Sequence, residues 1–170
     1  MKTPSTKKKS VSNPISRTIT ILLADDDKTD CLLFKEALEE LPVSTLLNLV
    51  HNGEQLIEEL NKKTNKLPDI IFLDLNMPRK NGFASLGQIK RSTELQNIPV
   101  IIFSTASDEK SVKNVFKDAA HYYICKPVDF SQLKKVIYEA ITIVTQKLNP
   151  FPLKEKFMIT GDSIIIPPKK

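Results

Sequence analysis

The sequence predicts an α/β fold, a doubly wound parallel sheet of five strands with helices on both faces. Five short apolar runs rich in Val, Ile and Leu recur along the chain. Runs that are continuously apolar, rather than alternating, mark strands covered on both faces, as parallel strands are. A stretch of helical spacing or composition follows each run. Strands and helices alternating in this way imply βα units joined by right-handed crossovers.

The first run, residues 18–24, stops abruptly at Asp25-Asp26-Asp27. Thr29 or Asp30 is the expected cap of the next helix. Phe34, Ala37, Leu38 and Leu41 form its apolar stripe, and Pro42 stops it. Residues 45–50 read as the second strand, Asn52-Gly53 as a turn, and residues 54–61 as a helix. Leu67-Pro68 breaks the chain before the third strand, residues 69–74, which again ends in a carboxylate. Residues 77–82 have loop composition, and residues 83–91 follow as a helix. Pro99 leads into the fourth strand, residues 100–104. Ser107-Asp108-Glu109 starts a helix with Val112, Val115, Phe116 and Ala119 on its stripe. Residues 122–125 form the fifth strand, closed by Lys126-Pro127. The last helix, residues 130–146, carries Leu133, Val136, Ile137, Ala140, Ile141 and Val144 on one face.

The expected domain therefore spans residues 17–147. Residues 1–16 are rich in Lys, Ser and Thr and read as a disordered basic tail. Residues 148–170 form a C-terminal extension. Asn149-Pro150-Phe151-Pro152 breaks the pattern, and residues 157–160 and 163–166 flank Gly161-Asp162 as a short hairpin, an extra edge element or an arm. The net charge of +5 resides in these tails: residues 1–16 carry +4 and residues 150–170 carry +2, whereas residues 17–149 carry −1. No basic stripe and no spare segment is left for a DNA-binding domain. No apolar stretch is long enough to span a membrane, and no apolar core of a signal peptide follows the basic start. Cys31 and Cys125 sit in apolar runs and read as core thiols of a cytoplasmic protein.

In doubly wound sheets, ligands bind beyond the carboxyl ends of the strands. Here those ends carry Asp25-Asp26-Asp27, Asp74, Ser104-Thr105 and Lys126-Pro127. Carboxylates crowded onto one rim resist joint ionisation, and a hard divalent cation with oxygen ligands such as Mg²⁺ relieves them. A carboxylate oxygen there can attack a phosphoryl group, while Mg²⁺, an ammonium and a hydroxyl neutralise or hydrogen-bond its equatorial oxygens.

These residues carry a resemblance. Ile21-Leu22-Leu23-Ala24-Asp25-Asp26-Asp27, the run from Pro68 through Asp74 to Pro78, Pro99 through Ser104, and Cys125-Lys126-Pro127 resemble, in order, the receiver domains of bacterial two-component response regulators. The resemblance covers about residues 17–147, and it implies a flavodoxin-like sheet of strand order 2-1-3-4-5. By position it makes Asp74 the phosphoacceptor. It makes Asp25 and Asp26 the acidic pair that holds Mg²⁺ together with Asp74 and the backbone carbonyl of Asn76. Ser104 becomes the switch hydroxyl, Tyr123 the aromatic switch residue, and Lys126 the lysine that contacts the phosphoryl group. The Lys126–Pro127 peptide is expected to be cis. The implied partners are a histidine kinase or histidine phosphotransfer protein, and a downstream protein bound by the face of the fourth helix, fifth strand and fifth helix. The implied output is signalling, with no catalysis beyond the chain's own phosphorylation and dephosphorylation.

Departures from the family pattern are Ser104, where Thr is commoner, Thr105, where a small residue is usual, and Ala119 and Tyr122, where Gly often precedes the fifth strand. Tyr138 and Ile143 lie off the stripe of the last helix and leave a homodimer face open. The alternative is a phosphorylation-independent interaction module of the same fold. A phosphohydrolase would need a second acid where Asn76 stands, and four glycines without a Gly-x-x-x-x-Gly-Lys loop disfavour nucleotide binding.

Overall fold

The computed structural model describes residues 17–63, 66–146 and 157–160. Its elements are β1 (Ile19–Ala24), α1 (Lys28–Glu39), β2 (Thr45–Val50), α2 (Gly53–Leu60), β3 (Ile70–Leu73), α3 (Gly82–Arg91), β4 (Val100–Ser104), α4 (Glu109–Lys117), β5 (Tyr122–Cys125) and α5 (Phe130–Thr145). The strands form one parallel sheet in the order β2-β1-β3-β4-β5. This is the predicted doubly wound architecture.

Alternate side chains along each strand feed two cores, as the period of two requires. On one face Leu22, Ala24, Ile71, Leu73, Ile102 and Tyr123 pack with Leu56 of α2, Leu86 of α3 and Val115 of α4. On the other Ile21, Leu23, Ile70, Phe72, Phe103 and Ile124 pack with Phe34 of α1 and with Leu133 and Ile137 of α5. Phe34, Phe72 and Phe103 meet edge to face at 4.9–6.2 Å between centroids, the arrangement aromatic quadrupoles favour.

Register decides which residues share the carboxyl rim. Ala24 pairs with Leu73, so Asp25 and Asp74 follow side by side. The Asp74 N–H donates to the Ala24 carbonyl at 2.9 Å. Ser104 pairs with Cys125, and the Lys126 N–H donates to the Ser104 carbonyl at 3.0 Å.

Three local features differ from expectation. Asp27, not Thr29 or Asp30, caps α1, accepting from the Thr29 and Asp30 N–H groups at 2.7 and 3.1 Å. β2 is mostly apolar but stands at the sheet edge, so Leu46 and Leu49 are exposed. Ala119, expected on the apolar stripe of α4, lies beyond the end of that helix and is exposed, with φ 60°, a conformation glycine adopts without strain.

Residues 157–160 lie along the outer edge of β5. The Tyr123 N–H donates to the Phe157 carbonyl at 2.9 Å, and the Ile159 N–H donates to the Tyr123 carbonyl at 2.8 Å. Phe157 is buried, with its ring 5.1 Å from Phe116 of α4 and 6.3 Å from Tyr123. The segment thus covers part of the surface expected to bind a downstream target. The predicted tail 1–16 and the predicted strand 163–166 lie outside the described residues. No helix among the described residues is long and apolar enough to cross a membrane. Both cysteines are free thiols.

Candidate functional site

The strand ends converge as the sequence suggests. Asp25 is fully buried, Asp74 and the Lys126 side chain nearly so, and Asp26 is exposed. Carboxylate oxygens of Asp25, Asp26 and Asp74 all lie within 4.8 Å of one another. The Lys126 ammonium enters from the end of β5. It lies 2.7 Å from Asp25 Oδ2, 2.7 Å from Asp30 Oδ2 and 3.6 Å from Asp74 Oδ2. The Phe103 ring centroid is 5.4 Å from the ammonium, within cation–π range.

Backbone groups fix the carboxylates. The Asp27 N–H donates to Asp25 Oδ1 at 3.0 Å, and the Asn76 N–H donates to Asp74 Oδ1 at 3.3 Å. Gly82 lets the β3–α3 loop fold against Asp74, because a Cβ there would lie 2.2 Å from the Asp74 carbonyl oxygen. Ser104 is fully buried, and its hydroxyl accepts from the Ala106 N–H at 3.4 Å. Tyr123 is fully buried with its hydroxyl donating to the Ala106 carbonyl, so Ser104 and Tyr123 hold the same short segment.

Charges are strongly biased. Burial raises the Asp25 carboxyl above the usual range, against the pull of Lys126. Burial works against the Lys126 charge, but contacts with Asp25 and Asp30 and the field of Asp74 override it and hold the ammonium above the usual lysine range. Burial pushes the Tyr123 hydroxyl up to about 12, so it stays a donor.

One expectation is corrected. The Lys126–Pro127 peptide is trans, as no described peptide bond is cis. The trans form is favoured by about 0.5–1 kcal/mol before proline, and in it the ammonium already reaches the acidic rim.

Sequence reasoning missed three contributors. Asp30, read only as a cap, meets Lys126. Phe103, read only as strand, underlies it. His51, assigned no role, has Nδ1 3.0 Å from the Asp25 carbonyl. That carbonyl can only accept, so Nδ1 carries the proton. The signal for Asp30 was its place in the first turn of α1, where helix side chains lean back toward the N-terminus. A separate groove of about 430 Å³, lined by Leu46, Asn48, Glu59 and Lys66 among others, touches none of these residues.

Comparison with known proteins accords with this geometry. The response regulator receiver domain family matches residues 21–138. The chain belongs to the response regulator receiver family. Similar proteins include the probable methanogenesis regulatory protein FilR2 of Methanothrix harundinacea, 29% identical over 70% of this chain and 79% of that protein. Response regulator Rcp1 of Synechocystis is 29% identical over 69% of this chain and 82% of its own length. Among solved structures, the phosphorylated cyanobacterial phytochrome response regulator RcpA aligns with a TM-score of 0.71 and 30% identity, over 77% of this chain and 96% of that one. The Mn²⁺-bound form of Rcp1 aligns with a TM-score of 0.68 and 27% identity, over 79% and 99% of the two chains.

The receiver's acidic cluster suits a divalent ion. Asp25 Oδ2 is buried and rests against the Lys126 ammonium at 2.7 Å. Three carboxylates crowded beside one ammonium still fit a hard cation, which takes oxygen ligands and keeps waters at its open positions.

Proposed function

We propose that this receiver accepts a phosphoryl group on Asp74 from a phosphohistidine of a histidine kinase or histidine phosphotransfer protein. The observation that carries the proposal is the convergence of Asp25, Asp26, Asp74 and Lys126 on one rim. A bound Mg²⁺, held by Asp25, Asp26, Asp74 and the Asn76 carbonyl, would supply positive charge against the phosphoryl oxygens. The Asp74 carboxylate forms the new O–P bond as the P–N bond of the donor breaks, and the imidazole leaves with that electron pair. Lys126 offers its ammonium to the phosphoryl oxygens, and the Ser104 hydroxyl donates to one of them.

Ser104 and Tyr123 are the proposed switch. A Ser104 hydroxyl drawn to the phosphoryl group changes the segment that Tyr123 also holds through Ala106. This shifts the population of the α4-β5-α5 surface between two states, to the extent that the phosphoryl group contacts them unequally. The output is therefore binding of a downstream protein, not turnover of an external substrate. The free thiols fit a cytoplasmic setting.

Incubation with acetyl phosphate, with and without Mg²⁺, tests the reading through intact-protein mass. A Mg²⁺-dependent gain of one phosphoryl group, absent in Asp74→Ala, is the expected outcome. No gain from acetyl phosphate or from a phosphorylated histidine kinase would favour a phosphorylation-independent binding module.

A further inference from the structure

Asp30 belongs to no role assigned above, yet it makes one of the shortest contacts in the site. It sits in the first turn of α1, beyond the cap Asp27. Its side chain leans back over the carboxyl rim, where Oδ2 accepts a hydrogen bond from Lys126 Nζ at 2.7 Å. The same ammonium lies 2.7 Å from Asp25 Oδ2, but 3.6 Å from Asp74 Oδ2, outside hydrogen-bond reach. A lysine has three donors on one compact charge. Here that charge is held on the α1 side of the pocket, away from the carboxylate it would serve after phosphorylation. The Lys126 side chain is 8% exposed and that of Asp30 32%, so water screens the pair only in part.

We propose that Asp30 is a positioning residue that holds Lys126 off Asp74 until a phosphoryl group draws the ammonium across. The inference rests on Asp74 being the phosphoacceptor. Asp30 then acts against the phosphorylated state in two ways. The phosphoryl group must compete with it for Lys126, and its own negative charge faces the incoming anion across the pocket. Both effects have the same sign, so neutralising Asp30 favours occupancy of the phosphoryl site.

The probe is beryllofluoride, a tetrahedral mimic of a phosphoryl group that adds to a carboxylate. It is titrated against wild type, Asp30→Asn, Asp30→Glu and Asp74→Ala, at Mg²⁺ levels shown by calorimetry with the metal alone to be saturating for each. Asp30→Asn is expected to bind the mimic roughly fivefold more tightly, from loss of one nearby negative charge in a partly screened site. Asp30→Glu keeps the charge and is expected to restore affinity close to wild type. Thermal unfolding of the same variants separates this from a purely structural role. If Asp30→Asn lowers the melting temperature and leaves the mimic's affinity unchanged or weaker, Asp30 merely anchors α1 and the inference is overturned. If Asp74→Ala binds the mimic as well as wild type does, the phosphoacceptor assignment fails and takes the inference with it.

Discussion

His121 gives the receiver an acid sensitivity whose size follows from its surroundings. It is buried just before β5, where Nδ1 accepts from the Val100 N–H at 3.0 Å and its own N–H donates to the Val100 carbonyl at 2.8 Å. Burial, then the nearby Lys90 ammonium, lower its pKa from 6.5 to about 4. The unfolded chain takes up a proton on His121 near pH 6.5, the folded chain only near 4. Protonation therefore favours unfolding, and the contribution of His121 to stability is present above its unfolded pKa and lost as pH falls through that window. Between pH ~7 and ~4.5 the loss amounts to about 2 kcal/mol. His121→Asn keeps an acceptor near the Nδ1 position and cannot take up the proton. Urea unfolding of both proteins at the two pH values provides the assay. Carboxylate titration is common to both and cancels, so wild type should lose about 2 kcal/mol more than the variant on acidification. Equal losses would refute the reasoning.

Other positions give sharp tests. Phe157→Ala should lower stability by roughly 3 kcal/mol in urea unfolding, because it empties a buried aromatic site between Phe116 and Tyr123. A negligible change would mean that the C-terminal segment does not dock on β5. Gly82→Ala places a Cβ 2.2 Å from the Asp74 carbonyl oxygen and 2.7 Å from Leu75 Cα. The loop must shift, so a cost of about 2 kcal/mol and slower phosphoryl uptake from acetyl phosphate are expected. Ala119→Gly relieves the residue at φ 60° and should raise stability by about 0.5–1 kcal/mol, read as a higher urea midpoint with an unchanged slope.

The parts of this receiver legible in sequence are those set by local pattern. A continuous apolar run that stops at a polar or charged residue marks both a buried strand and a rim residue, so Asp25, Asp74 and Ser104 could be placed at one end of the sheet before any register was known. What escaped depends on tertiary placement. Leu46 and Leu49 look like core residues, but nothing local says that β2 stands at the edge. Asp30 reaches Lys126 only because α1 packs where its first turn overhangs β5's end. The run 157–160 reads as extended and as a candidate edge element, but its pairing with β5 beside Tyr123 is set by no short-range periodicity. The expected cis peptide at Lys126–Pro127 came from family resemblance alone, and the trans bond delivers the ammonium to the same rim.

The central claim is that Asp74, among several neighbouring carboxylates, takes the phosphoryl group. Borohydride reduction of the protein after acetyl phosphate treatment converts an aspartyl phosphate to homoserine, and peptide mass mapping shows which residue changed. Conversion at position 74, dependent on Mg²⁺, is the predicted result. Conversion at Asp25, Asp26 or Asp30 with Asp74 intact would contradict the account.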